Sequence, residues 1–225
     1  MLTAFGGIEP FAILLALLPL IAYLLVFSVI RLSGRVLVTT GGRDIAALAM
    51  AISGLLAVGP AELFFPADAA LMFGPMVWVV LAIFYTLIVT LIVLSSTPRL
   101  VVYGRTPSEL FEPLLAAAQR IDPAAGGDPA TLQVELPTIG IRLRLDGNRG
   151  IDFAQILAFE PNVSVRFWNH LLSNLRSETR DLPAPLPRRG FGMLIAVVLI
   201  GGFLMWQSFG NRELLVEGFR QWLWR

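Results

Sequence analysis

Near its beginning the sequence reads FAILLALLPLIAYLLVFSVI (residues 11–30), twenty residues without a charged side chain. A helix rises about 1.5 Å per residue, so twenty residues cover the roughly 30 Å of hydrocarbon in a bilayer. A cleaved signal peptide would have a basic segment before a shorter apolar core, whereas residues 1–10 contain no lysine or arginine. The stretch is therefore predicted to be a retained transmembrane helix.

Three further stretches have the length and composition of membrane spans, namely 45–65, 75–96 and 190–209. The last two contain no charge, whereas 45–65 is interrupted by Gly59-Pro60 and carries Glu62 near its end. Only 15% of the whole chain is charged, against about 25% in a typical soluble domain. We expect an α-helical polytopic membrane protein with four transmembrane helices.

The arginines predict how these spans are oriented. All 17 basic residues are arginine, and cytoplasmic loops of membrane proteins retain an excess of positive charge. Three arginines lie between the first two spans and eleven within 98–189, whereas three follow the fourth span and none precedes the first. This distribution predicts a multi-pass protein of the cell (inner or plasma) membrane, with both termini outside and residues 98–189 in the cytoplasm.

Residues 98–189 have the patterns of a small α+β domain inserted between the third and fourth spans. Strands are predicted at 99–103, 132–136, 139–145 and 151–159, and helices at about 107–121 and 164–179. Thr106 and Glu109 have the spacing of a capping box that begins the first of these helices, and 122–129 is predicted to be a flexible loop. The order is β-α-β-β-β-α, with an antiparallel or mixed sheet, both helices on one face, and a proline-rich linker closing the domain. A hairpin that pairs Leu136 with Ile141 would place Glu135 opposite Arg142.

The remaining segments complete the predicted organisation. Residues 1–97 form a membrane domain with the first three spans, and 190–209 is the fourth. Residues 210–225 are predicted to be an amphipathic helix in the membrane interface.

The composition argues against several kinds of chemistry. The chain has no cysteine, which excludes thiolate catalysis and cysteine-bound metal, and its one histidine, His170, has no second histidine to share a metal. No phosphate-binding loop or nucleophile elbow is present. We therefore predict no catalytic, metal or cofactor site, and the net charge of +1 gives no indication of a nucleic-acid partner.

Glu62 and Pro60 form the one intramembrane candidate for a functional site. Ionisable residues within membranes and broken helices are typical of transport pathways. Glu62, however, is about 25 Å along the second span, near the outer headgroups, where a glutamate costs little. A structural role is the favoured interpretation.

Two further groups of residues are candidates for contacts. Ala49, Ser53 and Ala57 recur at a spacing of four in the second span, and small residues allow membrane helices to approach closely. In the domain, Arg142 and Arg144 are candidates for contact with anionic lipid or an acidic partner.

The leading functional hypothesis is a non-enzymatic accessory or assembly subunit that uses its cytoplasmic domain for interaction. Its expected partners are the lipid bilayer and other membrane subunits, or further copies of itself. The alternatives are a transport or channel component that uses Glu62 and the Gly59-Pro60 break, and a membrane-anchored sensor of a small ligand. A membrane enzyme ranks last, because it would depend on carboxylates, arginines and hydroxyls alone.

Overall fold

A computed structural model describes residues 10–59, 74, 76–148, 152–180, 182, 191–210 and 212–224. The helices are α1 (Pro10–Leu32), α2 (Gly41–Val58), α3 (Met76–Ser95), α4 (Pro107–Gln119), α5 (Val165–Arg180), α6 (Phe191–Gly210) and α7 (Arg212–Trp224). The strands are β1 (Leu37–Thr40), β2 (Arg99–Tyr103), β3 (Gly126–Asp128), β4 (Gln133–Leu136), β5 (Ile141–Asp146) and β6 (Phe153–Ala158).

Four helices, α1, α2, α3 and α6, are long and apolar enough to cross a membrane. Three of them match the predicted spans to within two residues at each end. Helix α2 begins at Gly41, four residues before the predicted start, and the part of the predicted span beyond Gly59 lies outside the described residues. Helix α7 occupies the tail that was predicted to be helical.

The chain divides into two compact units. The first, the helix unit, comprises Met1–Phe27, Ala46–Ile92 and Gly192–Arg225. The second, the sheet unit, comprises Ser28–Ile45 and Val93–Phe191. The sheet unit thus includes the last turn of α1, the first residues of α2 and the last residues of α3.

The sheet unit contains one six-stranded antiparallel sheet in the order β1-β2-β6-β5-β4-β3. Its first strand was not predicted. Strand β1 lies in the connection between α1 and α2 and pairs with β2, from Leu37 opposite Tyr103 to Thr40 opposite Leu100. The prediction of a domain made only from residues after 98 was therefore incomplete, since one edge strand comes from between the first two apolar helices.

The centre of the sheet follows the predicted pattern. Glu135 lies opposite Arg142 and Leu136 opposite Ile141, which confirms the register predicted for the β4–β5 hairpin. Beyond β4, the short strand β3 forms the second edge and was predicted as a loop.

One hydrophobic core joins the sheet to α4 and α5. Alternate residues are buried along β4, β5 and β6, whereas β2 buries three consecutive residues. The two helices cover the face that carries the core, as predicted. Thr106 and Glu109 form the predicted capping box at the start of α4. The largest fully buried side chains of this core are Leu100, Leu110, Leu114, Leu136, Leu143, Ile156, Leu171 and Leu175.

Candidate functional site

The β1 edge of the sheet is closed by a side chain from α5. The Arg176 guanidinium donates two hydrogen bonds to the Val38 carbonyl oxygen, from Nε at 3.1 Å and from Nη2 at 2.9 Å. Edge strands present unpaired backbone groups that can pair with another chain. Arg176 occupies the Val38 carbonyl oxygen, so this edge has one fewer backbone acceptor available to a further strand.

The β3 edge is open in the part of the chain that the structure describes. All three β3 residues are exposed, and a Cβ added at Gly126 would meet no atom within 4 Å. Gly127 is close to its neighbours, because a Cβ there would lie 2.8 Å from the Gln133 carbonyl oxygen and 3.0 Å from Cζ of Phe111. The strand is therefore held against α4 and β4, and no described strand pairs with its other side.

The turn after β3 is fixed by Asp128. Its carboxylate accepts hydrogen bonds from the Ala130 amide at 2.9 Å and from the Thr131 hydroxyl at 3.0 Å. The bond from the Ala130 amide is the main reason that the pKa of Asp128 is lowered. The Asp128 carboxylate is therefore engaged by hydrogen bonds within its own turn.

Asp122 joins the end of α4 to the β4–β5 turn. Its carboxylate accepts bonds from the amide of Ala124 at 3.0 Å and from the amide and hydroxyl of Thr138 at 2.9 and 2.8 Å. Burial disfavours the charged form, but the bonds from Thr138 and Ala124 outweigh it, so that the pKa is lowered. These contacts indicate a structural role.

The junction between the sheet and α2 is built from polar contacts. The Tyr103 hydroxyl at the end of β2 donates to Oδ1 of Asp44 in the first turn of α2 at 2.8 Å. The Arg99 side chain, at the start of β2, lies against Gly41, the first residue of α2. A Cβ at that glycine would lie 2.6 Å from Arg99 Cγ and 3.0 Å from its Nε.

We call the end of the sheet that carries Thr40 and Arg99 its helix-proximal end, because β1 runs directly into α2 there and β2 starts four residues after α3; Tyr103 lies at the opposite end, since it is paired with Leu37. Strand pairing brings further residues to it. Arg99 is opposite Leu157, so the end of β6 and the following Phe159 lie at the helix-proximal end. Since Leu143 is opposite Ala158, the start of β5 and the β4–β5 turn with Ile139 lie there too.

The two arginines predicted to contact lipid or an acidic partner differ in their surroundings. Arg142 is engaged within the protein: it forms an ion pair with Glu160 at 3.3 Å, and its guanidinium carbon lies 5.2 Å from the centre of the Phe159 ring. These contacts argue against Arg142 as a free binding group. Arg144 is exposed, opposite Leu157 on one side and Gln133 on the other. A partner for Arg144 stays a prediction.

The intramembrane candidates are only partly described. Glu62 and Pro60 lie outside the described residues. Of the predicted packing residues, Ala49 accepts a hydrogen bond from the Tyr85 hydroxyl of α3 at 2.6 Å, and the Ser53 hydroxyl bonds within its own helix to Met50. Ala57 is half-buried.

A close approach between α2 and α1 involves Gly54, a residue that the spacing argument missed. A Cβ at Gly54 would overlap the Leu15 carbonyl oxygen of α1 and lie 2.8 Å from that of Ala16. A search centred on glycine rather than on alanine and serine would have found it, because the smallest side chain permits the closest approach.

His170 is exposed on α5. Among the described residues, no group of three or more histidine, aspartate or glutamate side chains is placed to hold a metal ion.

Strand β1 could have been predicted from the run VLVTT at 36–40, whose β-branched residues favour a strand.

Comparison of the chain with protein-family models, with curated proteins and with solved structures finds no match.

Proposed function

We propose that this chain is a multi-pass membrane protein that serves as a non-enzymatic accessory or assembly subunit of a larger membrane complex. In this proposal the four apolar helices span the cell membrane, both termini lie outside, and the sheet unit lies in the cytoplasm. The arginine distribution supports this orientation.

The observation that carries the proposal is the difference between the two edges of the sheet. Arg176 closes the β1 edge, whereas the β3 edge is exposed along all three residues. Proteins commonly recruit an extended segment of a partner by adding it as a strand to an open sheet edge. We assign the β3 edge as the contact for a strand of a partner subunit.

The attachment of the sheet unit supports the same role. The unit contains the whole α1–α2 connection, and β2 follows α3 after three residues, so it is not joined to the apolar helices by a long free linker. A partner strand bound at β3 would therefore be retained close to the membrane. This suits a subunit that assembles with other membrane proteins or with further copies of itself.

The test is crosslinking in cells followed by a native pull-down through a C-terminal tag and mass spectrometry. Gly127→Pro removes the backbone donor that β3 directs away from β4, and Gly127→Ala is the matched control, because both variants add a Cβ beside Gln133 and Phe111 but only alanine keeps the amide. We expect a stoichiometric protein partner with the wild type and with Gly127→Ala, and loss of most of it with Gly127→Pro.

Two results would contradict the proposal. If the wild-type protein purifies alone after crosslinking, the subunit role is wrong. If Gly127→Pro retains the partner in full, the β3 edge is not the contact.

A further inference from the structure

We infer that the helix-proximal end of the sheet unit binds the headgroups of anionic phospholipids, with Arg99 as its central residue. The inference uses the membrane-spanning topology proposed above and is independent of the accessory-subunit role. It rests on the position of this end in the chain, its charge, the surroundings of Arg99 and the apolar side chains beside it.

The connections of the chain place this end at the depth of lipid headgroups. Helix α2 begins at Gly41, directly after β1, and Arg99 contacts that residue. The 18 residues of α2 extend about 27 Å, close to the roughly 30 Å of hydrocarbon, and the headgroup layer adds about 5–7 Å on each side. A side chain packed on the first residue of α2 therefore lies at the surface of the hydrocarbon.

Positive charge is concentrated in the segments of the sheet unit that adjoin the apolar helices. Residues 28–45 and 93–100 contain four arginines and a single acidic residue, Asp44, which accepts the hydrogen bond from Tyr103. Residues 101–180, by contrast, contain nine acidic residues and eight arginines. The excess of arginine thus lies in the segments that adjoin the apolar helices. The four arginines are Arg31, Arg35, Arg43 and Arg99; of these, Arg43 and Arg99 lie at the helix-proximal end, whereas Arg35 precedes β1 at the opposite end, beside Gly104.

Arg99 is in an electrostatically unfavourable position in the protein alone. Its Nε is shielded from solvent and has no hydrogen-bond partner among the residues that the structure describes, and the same holds for Nε of Arg31. Arg99 also lies at the N-terminal, positive end of α2, where cations are disfavoured. A phosphate group beside the half-buried Arg99 side chain would add a negative charge that offsets the unfavourable interaction between the guanidinium and the positive end of α2.

Apolar side chains at the same end favour a lipid over free phosphate. Phe159 is 46% exposed and Ile139 is 44% exposed, and both lie at the helix-proximal end. Phe159 is beside the start of β5, since its amide donates to the Arg142 carbonyl oxygen at 3.0 Å. Arginines together with exposed apolar residues suit an interface between headgroups and acyl chains, whereas a soluble phosphate needs only the arginines.

The test is a titration of the delipidated, full-length protein in neutral detergent with phosphatidylglycerol, followed by native mass spectrometry. Phosphatidylcholine serves as the neutral lipid, and inorganic phosphate as a competitor. The variants are Arg99→Gln and, as the matched control, Arg180→Gln, which removes an exposed arginine at the far end of α5.

We expect Arg99→Gln to raise the apparent Kd for phosphatidylglycerol about five-fold, because one arginine near a lipid surface contributes about 1 kcal/mol. Arg180→Gln and the wild type should bind it equally, and phosphatidylcholine should bind more weakly to all three. If Arg99→Gln does not fold, Arg43→Gln, an exposed arginine in the first turn of α2, is expected to show the same change.

Three outcomes would overturn the inference. These are equal binding of phosphatidylglycerol and phosphatidylcholine, an unchanged Kd in the arginine variant, and full competition by inorganic phosphate at lipid-equivalent concentration, which would assign the site to free phosphate. None of them depends on the pull-down result, because the titration uses the isolated protein.

Discussion

The contact between Arg176 and strand β1 provides the sharpest test of how the sheet unit is built. In the variant Arg176→Met the side chain keeps an apolar stem and loses the guanidinium that bonds the Val38 carbonyl oxygen. Hydrogen bonds to charged groups contribute about 1.5–3 kcal/mol. Because Arg176 is itself partly exposed, we take the lower limit, and expect β1 to open about ten-fold more often.

Hydrogen exchange followed by mass spectrometry measures this opening directly. We expect peptides that cover residues 37–40 to exchange about ten-fold faster in Arg176→Met, while β4 and β5, three or more strands away, stay protected. Arg180→Met is the control, since it removes an exposed arginine from the same helix. Wild-type protection of β1 in Arg176→Met would refute the reasoning that Arg176 holds this edge closed.

Two further predictions concern a carboxylate and a glycine. The pKa of Asp122 is lowered in the fold, so its contribution to stability is fully present above the unfolded pKa of about 3.9 and is lost as the pH falls through the lower folded pKa. In urea unfolding, the wild type and Asp122→Asn should therefore differ at pH 7, and the difference should shrink as the pH is lowered below about 3.9. Gly54→Ala places a methyl group against the α1 backbone and should destabilise the helix unit by about 1–3 kcal/mol, whereas Gly201→Ala, which meets no atom within 4 Å, should not lower the melting temperature in detergent.

The parts of the fold that were predicted from sequence are those governed by local pattern. The apolar helices follow from length and composition. The β4–β5 hairpin follows from alternation, because a register shifted by one residue would turn Leu136 and Ile141 away from the core. The capping box at Thr106 is a signal contained within four residues.

The parts that were missed depend on distant residues or on weak strand formers. Strand β1 has four residues, and its partners in β2 are sixty or more positions later in the chain. Strand β3 includes two glycines, which are depleted in strands, and is specified by its neighbours in β4 and α4.

The candidate sites show the same division. Arg142 and Arg144 were grouped because they alternate along one strand, but only the fold shows that Glu160 engages Arg142 and leaves Arg144 exposed. Arg99 gave no signal in the sequence, because its position depends on α2 beginning at Gly41. Residue type shows which side chains are charged, whereas tertiary contacts determine which of those side chains can bind a partner.

The origin of β1 has a consequence for the biogenesis of this protein. During synthesis β1 emerges before α2 and α3, and its partner strand follows only after both helices have been made. In the membrane topology proposed above, insertion of only one of α2 and α3 would leave β1 and β2 on opposite sides of the membrane, where they could not form the antiparallel ladder. Closure of the edge comes later still, because Arg176 is translated after all six strands. In that topology, completion of the sheet would require α2 and α3 to cross the membrane as a pair, and a chain in which only one of them crossed would retain an unpaired strand.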